Sequence, residues 1–220
     1  MLKIGITGSI GAGKSFVGEL LRERNFQVLD ADRMVHELYR DCVELRAEMA
    51  AFFGEACLTP TGVNSALIAD RIFADASARE KLEKIVYPYL TRAVDVFFNA
   101  DANATGVANS ADAKGAAGAG NATNAGVKSV RFVEAALFSR APSLVEMLDE
   151  IWIVDAPESA RLQRLVARGL SENDAARRIE NQRGACAPEL FPGKRIRTIA
   201  NDGGRSQVES QLDDLLEVLK

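Results

Sequence analysis

The sequence predicts an α/β fold: a five-stranded parallel sheet with helices on both faces, plus a helical lobe and a helical lid. Three observations predict it. Short apolar runs alternate with stretches whose apolar residues recur at helical spacing, which is how parallel strands and crossover helices read. The first of these runs, "LKIGIT", leads directly into "GSIGAGKS" at 8–15, a glycine-rich turn between a strand and a helix. Residues 33–98 show helical patterning between two strands and none of their own, so they stand off the sheet edge as a lobe.

Each element follows from its residues. "LKIGIT" reads as a buried strand, and Val17, Leu20 and Leu21 in "KSFVGELLRER" set a helix from Lys14. "FQVLDADR" carries a second strand, Phe26 to Leu29, that ends in two aspartates. Helical spacing then runs from about Arg33 to Phe53 with a break near Asp41. Gly54, Pro60 and Gly62 punctuate a turn region before a short helix. A long helix over about Ser77–Phe98 has a stripe that includes Leu82, Ile85, Val86, Leu90 and Val94, and Pro88 bends it. "VRFVEAALF", "EIWIVDAP" and "RIRTIAND" supply the third, fourth and fifth strands. Helices are expected over Glu158–Arg168 and Ser171–Arg183, and Val208, Leu212, Leu215, Leu216 and Leu219 stripe a last one.

Residues 99–128 are almost wholly Ala, Asn, Gly, Ser, Thr and Asp, too poor in apolar surface to order themselves, and read as a mobile insertion. The rest divides into a core of 1–32, 129–157 and 195–220, the lobe at 33–98, and a lid at 158–190. The 47% hydrophobic content fits a globular protein, and a net charge of −4 argues against a nucleic-acid binder held by bulk charge. The three cysteines are scattered, with no CxxC pair, so neither a disulfide framework nor a zinc site is expected, and a reducing cytoplasm is. No signal peptide is read at the start, and no apolar run approaches the ~20 residues a membrane span needs.

The chemistry begins with Gly8-x4-Gly13-Lys14-Ser15. Glycines let the backbone curl so that several N–H groups face one concavity, and the following helix N-terminus adds positive potential. Gly8, Gly11, Ala12, Gly13, Lys14, Ser15 and the Phe16 N–H would wrap the phosphates of a nucleotide. Lys14 would bridge the outer phosphates and the Ser15 hydroxyl would ligate Mg²⁺. The guanine-reading Asn-Lys-x-Asp is absent, which argues against a GTPase switch. Asp30 and Asp32 follow a strand that should end on the same rim as the loop. A carboxylate there could accept a hydrogen bond from a hydroxyl nucleophile, while Asp32 equally suits a helix N-cap. Arg161, Arg164 and Arg168 share one helical face, either as a solvated basic surface or as a flap over a triphosphate. Glu134 and Asp155 end strands on that rim, with Glu134 ranked first as a second metal-side carboxylate because its strand should flank the loop. The lone histidine, His36, reads as an ordinary helix residue.

Taken in order, "IGITGSIGAGKS", "VLDADRMVHEL", "TGVNSALIADRIF", "FVEAALF", "IWIVDAPESARLQRLVAR", "RRIENQ" and "IANDGG" resemble the dephospho-coenzyme A kinases, a P-loop kinase family, through nearly all of the chain outside the insertion. The resemblance implies ATP-dependent phosphorylation of the ribose 3′-hydroxyl of dephospho-coenzyme A, with Mg²⁺. It also implies Asp32 as the base, the helical lobe as acceptor site, flap arginines Arg161, Arg164 and Arg168 on the phosphates, and Asn201 near the adenine. Phe16, Ser65, Tyr87 and Gly169 stand where the family usually has Thr, Arg, His and Asp. The alternative is another small-molecule kinase of this build, such as a nucleoside monophosphate kinase. A small-molecule acceptor is the expected partner, with no nucleic acid or membrane, in a monomer or weak homo-oligomer.

Overall fold

The computed structural model describes residues 1–100 and 129–219. Five parallel strands, β1 (Leu2–Thr7), β2 (Gln27–Asp30), β5 (Val130–Glu134), β6 (Glu150–Asp155) and β7 (Arg195–Ala200), form the sheet in the order β2-β5-β1-β6-β7. All four pairings are parallel, so every strand delivers its carboxyl end to one rim. The chain leaves β1 toward one side and later returns on the other, which opens a crevice at the carboxyl end of β1.

Side chains alternate across the sheet, and the strands are apolar on both faces. Trp152 and Val154 of β6 pack with Ile4, Ile6 and Phe132 against α1 (Lys14–Glu23) and α9 (Arg205–Glu217). Ile151 and Ile153 point the other way, against α2 (Ala31–Asp41), α5 (Ala76–Asn99) and α6 (Pro142–Met147). Fully buried side chains such as Leu20 and Phe132 each contribute about 1.5–3 kcal/mol. Gly5 on β1 faces the second layer, where a Cβ would lie 2.5 Å from Leu148 Cδ1. Glycine there lets Leu148 and Phe138 pack directly on the strand.

The lobe has its own core, built from Leu45, Met49 and Phe53 of α3 (Val43–Phe53), Ile68 of α4 (Ser65–Ala74), and Ile85 and Val86 of α5. Helix α5 serves both cores: Ala78, Ile85 and Val86 face the lobe, while Leu90, Val94 and Phe98 face the sheet. At 24 residues it is about 36 Å long, enough to tie lobe to sheet, and Pro88 lies at the changeover.

Some expectations are corrected. The lobe is not all helix, because β3 (Leu58–Thr59) and β4 (Gly62–Val63) form a small antiparallel hairpin at the predicted turn region. The second strand runs one residue further, to Asp30, because Asp30 pairs in register with Glu134. Helix α2 starts at Ala31, two residues earlier than read, and its N-cap is Asp30, whose carboxylate accepts from the Arg33 N–H at 3.0 Å. The short α6 has no periodic run long enough to betray it. The insertion expected over 99–128 lies, beyond Ala100, outside the described residues. Among those residues no helix is long and apolar enough to cross a membrane.

Candidate active site

The crevice is framed by the loop between β1 and α1. Gly13 is the N-cap of α1 with φ 104, a left-handed conformation, and a Cβ there would lie 2.1 Å from Asn201 Nδ2. Only glycine meets both demands. No side chain caps α1, so its first-turn N–H groups remain available to an anion. The Lys14 ammonium donates to the Gly8 carbonyl at 2.9 Å, folded back over the loop. Burial pushes its pKa down, Cys186, Glu134 and Asp32 draw it back up, and Arg168 opposes them. Lys14 is therefore a cation short of water, which favours an anionic ligand. Phe16 turns its ring into the layer between sheet and α1, which leaves its backbone to the loop.

Three carboxyl groups line the opposite side. The Ser15 hydroxyl donates to Glu134 Oε1 at 2.7 Å, while Glu134 Oε2 is buried with no partner. Burial raises the Glu134 carboxyl above its ordinary range, countered by Ser15, and Asp30 adds to the rise. Asp30 is spent as the α2 cap, so Asp32 in the first turn is the carboxylate left to the crevice. Asp32 is open to solvent but walled by protein, and that partial desolvation, reinforced by Asp30, raises its carboxyl against the pull of Lys14 and His36. Asp155 lies across β1 from Glu134, beside a cavity of about 410 Å³ between β6, β7 and the lid.

The lid consists of α7 (Glu158–Ala167) and α8 (Glu172–Asn181), joined through Leu165, Ala175 and Ile179. It is docked on the loop: Ile10 packs into its seam, and the Ile10 N–H donates to Gln182 Oε1 at 2.8 Å. The three arginines part company. Arg161 backs Gly11 closely and has a buried Nε with no partner. Arg164 forks between the Gly11 and Ala12 carbonyls, both at 3.2 Å, and the Asn201 carbonyl at 2.8 Å. Arg168 is exposed and close enough to Lys14 to affect its charge. Asn201, expected near an adenine, is buried with its amide donating to the Ala12 carbonyl at 2.8 Å and its Oδ1 accepting from Arg164. It braces the loop from below.

The structure thus brings Lys14, Ser15, Asp32 and Glu134 together, with Arg168 near enough to act on Lys14, while Arg161 backs Gly11 and lines the neighbouring cavity beside Asp155. Gln182 and Cys186 escaped a functional reading, although Gln182 closes "RRIENQ". Nothing local in a glutamine signals a bond to Ile10, 172 residues away, nor in a lone cysteine a contact with Thr7 at the end of β1. Ser15 and Glu134 are hard oxygen donors, and the orphaned Glu134 Oε2 wants a cation or a proton, so the pair fits Mg²⁺. Among the described residues no three His, Cys, Asp or Glu side chains cluster as a metal cage. A magnesium ion here would be completed by phosphate oxygens and water.

Residues 2–108 match the model of the dephospho-CoA kinase family. A dephospho-CoA kinase from Corynebacterium efficiens is 32% identical over 219 residues, covering 98% of this chain and 96% of the relative. The crystal structure of TT1252 from Thermus thermophilus superposes with a TM-score of 0.71 at 25% identity, covering 100% of this chain and 98% of the other. A dephospho-CoA kinase from Campylobacter jejuni shares the fold, with a TM-score of 0.62 at 18% identity and coverage of 99% and 96%.

Proposed function

Because the chain belongs to the dephospho-CoA kinase family, phosphorylating dephospho-CoA to CoA with ATP, we propose how its residues divide that work. The observation that carries the reading is the uncapped first turn of α1, with Lys14 folded over the loop, Ser15 bonded to Glu134, and Asp32 close enough to act on the Lys14 charge. A phosphate cradle thus has a cation and an uncommitted carboxylate near enough to influence each other's charge. That is what transfer from a triphosphate to an alcohol requires.

The amides of Gly11 to Ser15 take the β- and γ-phosphates of ATP, and Lys14 leaves the Gly8 carbonyl for them. Ser15 and Glu134 would hold Mg²⁺, which neutralises phosphate charge when bound. Asp32 accepts a hydrogen bond from the ribose 3′-hydroxyl, aims it in line at the γ-phosphorus, and takes its proton as the new P–O bond forms and the bond from the γ-phosphorus to the β–γ bridging oxygen breaks, releasing ADP. Arg161 and Arg168 gather the charge that spreads over the transferred oxygens. Arg164 and Asn201 touch neither substrate. They keep the cradle's carbonyls turned away, so that its N–H groups face the anion. Catalysis comes from positioning and electrostatics.

A coupled assay of ADP release with dephospho-CoA against a panel of nucleoside monophosphates tests this. Turnover should be confined to dephospho-CoA. Preference for a monophosphate, or an ATPase rate indifferent to acceptor, overturns it.

A further inference from the structure

Helix α1 carries a glycine, Gly18, that its own backbone does not call for. Glycine weakens a helix interior relative to alanine, and Gly18 lies one turn into α1, on its buried side. Two ordinary reasons for a glycine do not apply. Its φ is not positive, as those of Gly11 and Gly13 are. Nor does a neighbouring backbone crowd it. At Gly8 a Cβ would meet the Val154 carbonyl oxygen at 2.3 Å, whereas the three nearest atoms at Gly18 all belong to side chains.

The nearest of them is Glu134 Oε2, 2.9 Å from where the Cβ would stand. Arg22 Nη1 follows at 3.3 Å, and Arg22 is itself held to β2 by Nη2, which donates to the Val28 carbonyl at 3.2 Å. Ser15, Gly18 and Arg22 succeed each other at i, i+3 and i+7, so they share one face of α1. Glu134 meets that face from the end of β5, and its two oxygens are used differently. Oε1 accepts from the Ser15 hydroxyl at 2.7 Å, while Oε2 lies against Gly18, buried and without a partner. A methyl group at position 18 would crowd Oε2 out of its place. The atom obliged to move is the end of a flexible side chain, so the backbones of α1 and β5 can stay where they are. The carboxylate would shift instead, away from Gly18 and from its bond with Ser15.

We propose that Gly18 is a positioning residue: its missing side chain is the space that lets a carboxylate as long as glutamate stand beside Ser15 with one oxygen bare for a phosphate-bound cation. The proposal rests on the reading of Ser15 and Glu134 as the Mg²⁺ side of the site. A shorter acid has no need of the space, because Glu134→Asp ends the carboxylate one methylene further from α1. Gly18 and Glu134 are therefore a matched pair, in which each residue type accounts for the other.

The test is a calorimetric titration of Mg²⁺ into the protein held with adenylyl imidodiphosphate, an ATP analogue that cannot transfer its last phosphoryl group. Gly18→Ala should raise the Mg²⁺ Kd of that complex by ~10-fold or more, the usual cost of disturbing what orients a metal ligand. Its affinity for the analogue in chelator should match wild type, and its Tm should be no lower, because alanine favours the helix. Gly18→Ala combined with Glu134→Asp should recover most of the Mg²⁺ affinity that Gly18→Ala loses, a coupling expected only of residues in contact. An unchanged Mg²⁺ Kd in Gly18→Ala overturns the proposal, as does a double variant no better than Gly18→Ala alone. A clear fall in Tm overturns it too, since backbone packing and not the carboxylate would then have needed the glycine. Mg²⁺ that binds the wild-type complex no more tightly than it binds the free analogue overturns the metal reading itself, and the pairing with it.

Discussion

Ser15 and Glu134, 119 residues apart in sequence, are joined by a 2.7 Å hydrogen bond from hydroxyl to carboxylate, and the other Glu134 oxygen is buried without a partner. The pair fastens the first turn of α1 to the end of β5, and it does so with groups that a magnesium ion would claim.

Glu134→Gln should therefore increase the Mg²⁺ concentration needed for half-maximal activity, read from a metal titration at saturating ATP. The same variant should be more stable than wild type near pH 8. The Glu134 carboxyl is raised in the folded state, so its contribution to stability is present below the unfolded value and is lost as pH rises through the folded one. The thermal advantage of the variant should vanish by about pH 4, where both forms are uncharged.

Asp32→Asn should reduce kcat by ~10²-fold or more while ATP affinity by titration stays close to wild type. The wild-type rate should fall on the acid side at a pH above the usual carboxylate range, because Asp32 is raised by its surroundings and must be ionised to act. That acid limb should disappear or move in the variant. Full activity in Asp32→Asn would reduce the residue to a helix-start acid.

Arg164→Ala and Asn201→Ala should each destabilise the fold, the arginine by about 1.5–3 kcal/mol through lost charged hydrogen bonds, and each should raise KM for ATP. Their effects should be less than additive in a double-mutant cycle, since they brace the same Ala12 carbonyl. Arg164→Lys should not restore the loss, because an ammonium cannot reach both sides of the fork.

Gly13→Ala should abolish ATP binding, measured by calorimetry, with a smaller loss in thermal stability. The left-handed φ of 104 and the 2.1 Å approach to Asn201 leave no room for a methyl group without moving the loop.

Much of the architecture can be read from local patterns. The five strands, the helix after the glycine loop and the long helix over 76–99 all appear where apolar spacing puts them. Boundaries slipped where a neighbour decided them: β2 reaches Asp30 because β5 pairs with it, and α2 begins early because Asp30 caps it. The hairpin at Leu58–Val63 was hidden because two residues per strand show no period. At the site, the residue types were readable, but their tasks were not. Asp30 and Asp32 look interchangeable on paper, and one hydrogen bond to the Arg33 N–H separates them.

The sequence alone determined the phosphate cradle, because glycine spacing, a strand before and a helix after are properties of neighbouring residues and of backbone sterics. Tertiary structure decided which acid stays free, and that Arg164 grips carbonyls while Arg161 keeps a bare Nε. Those outcomes depend on groups distant in the chain, whose meeting is set by how layers pack and not by any run of residues.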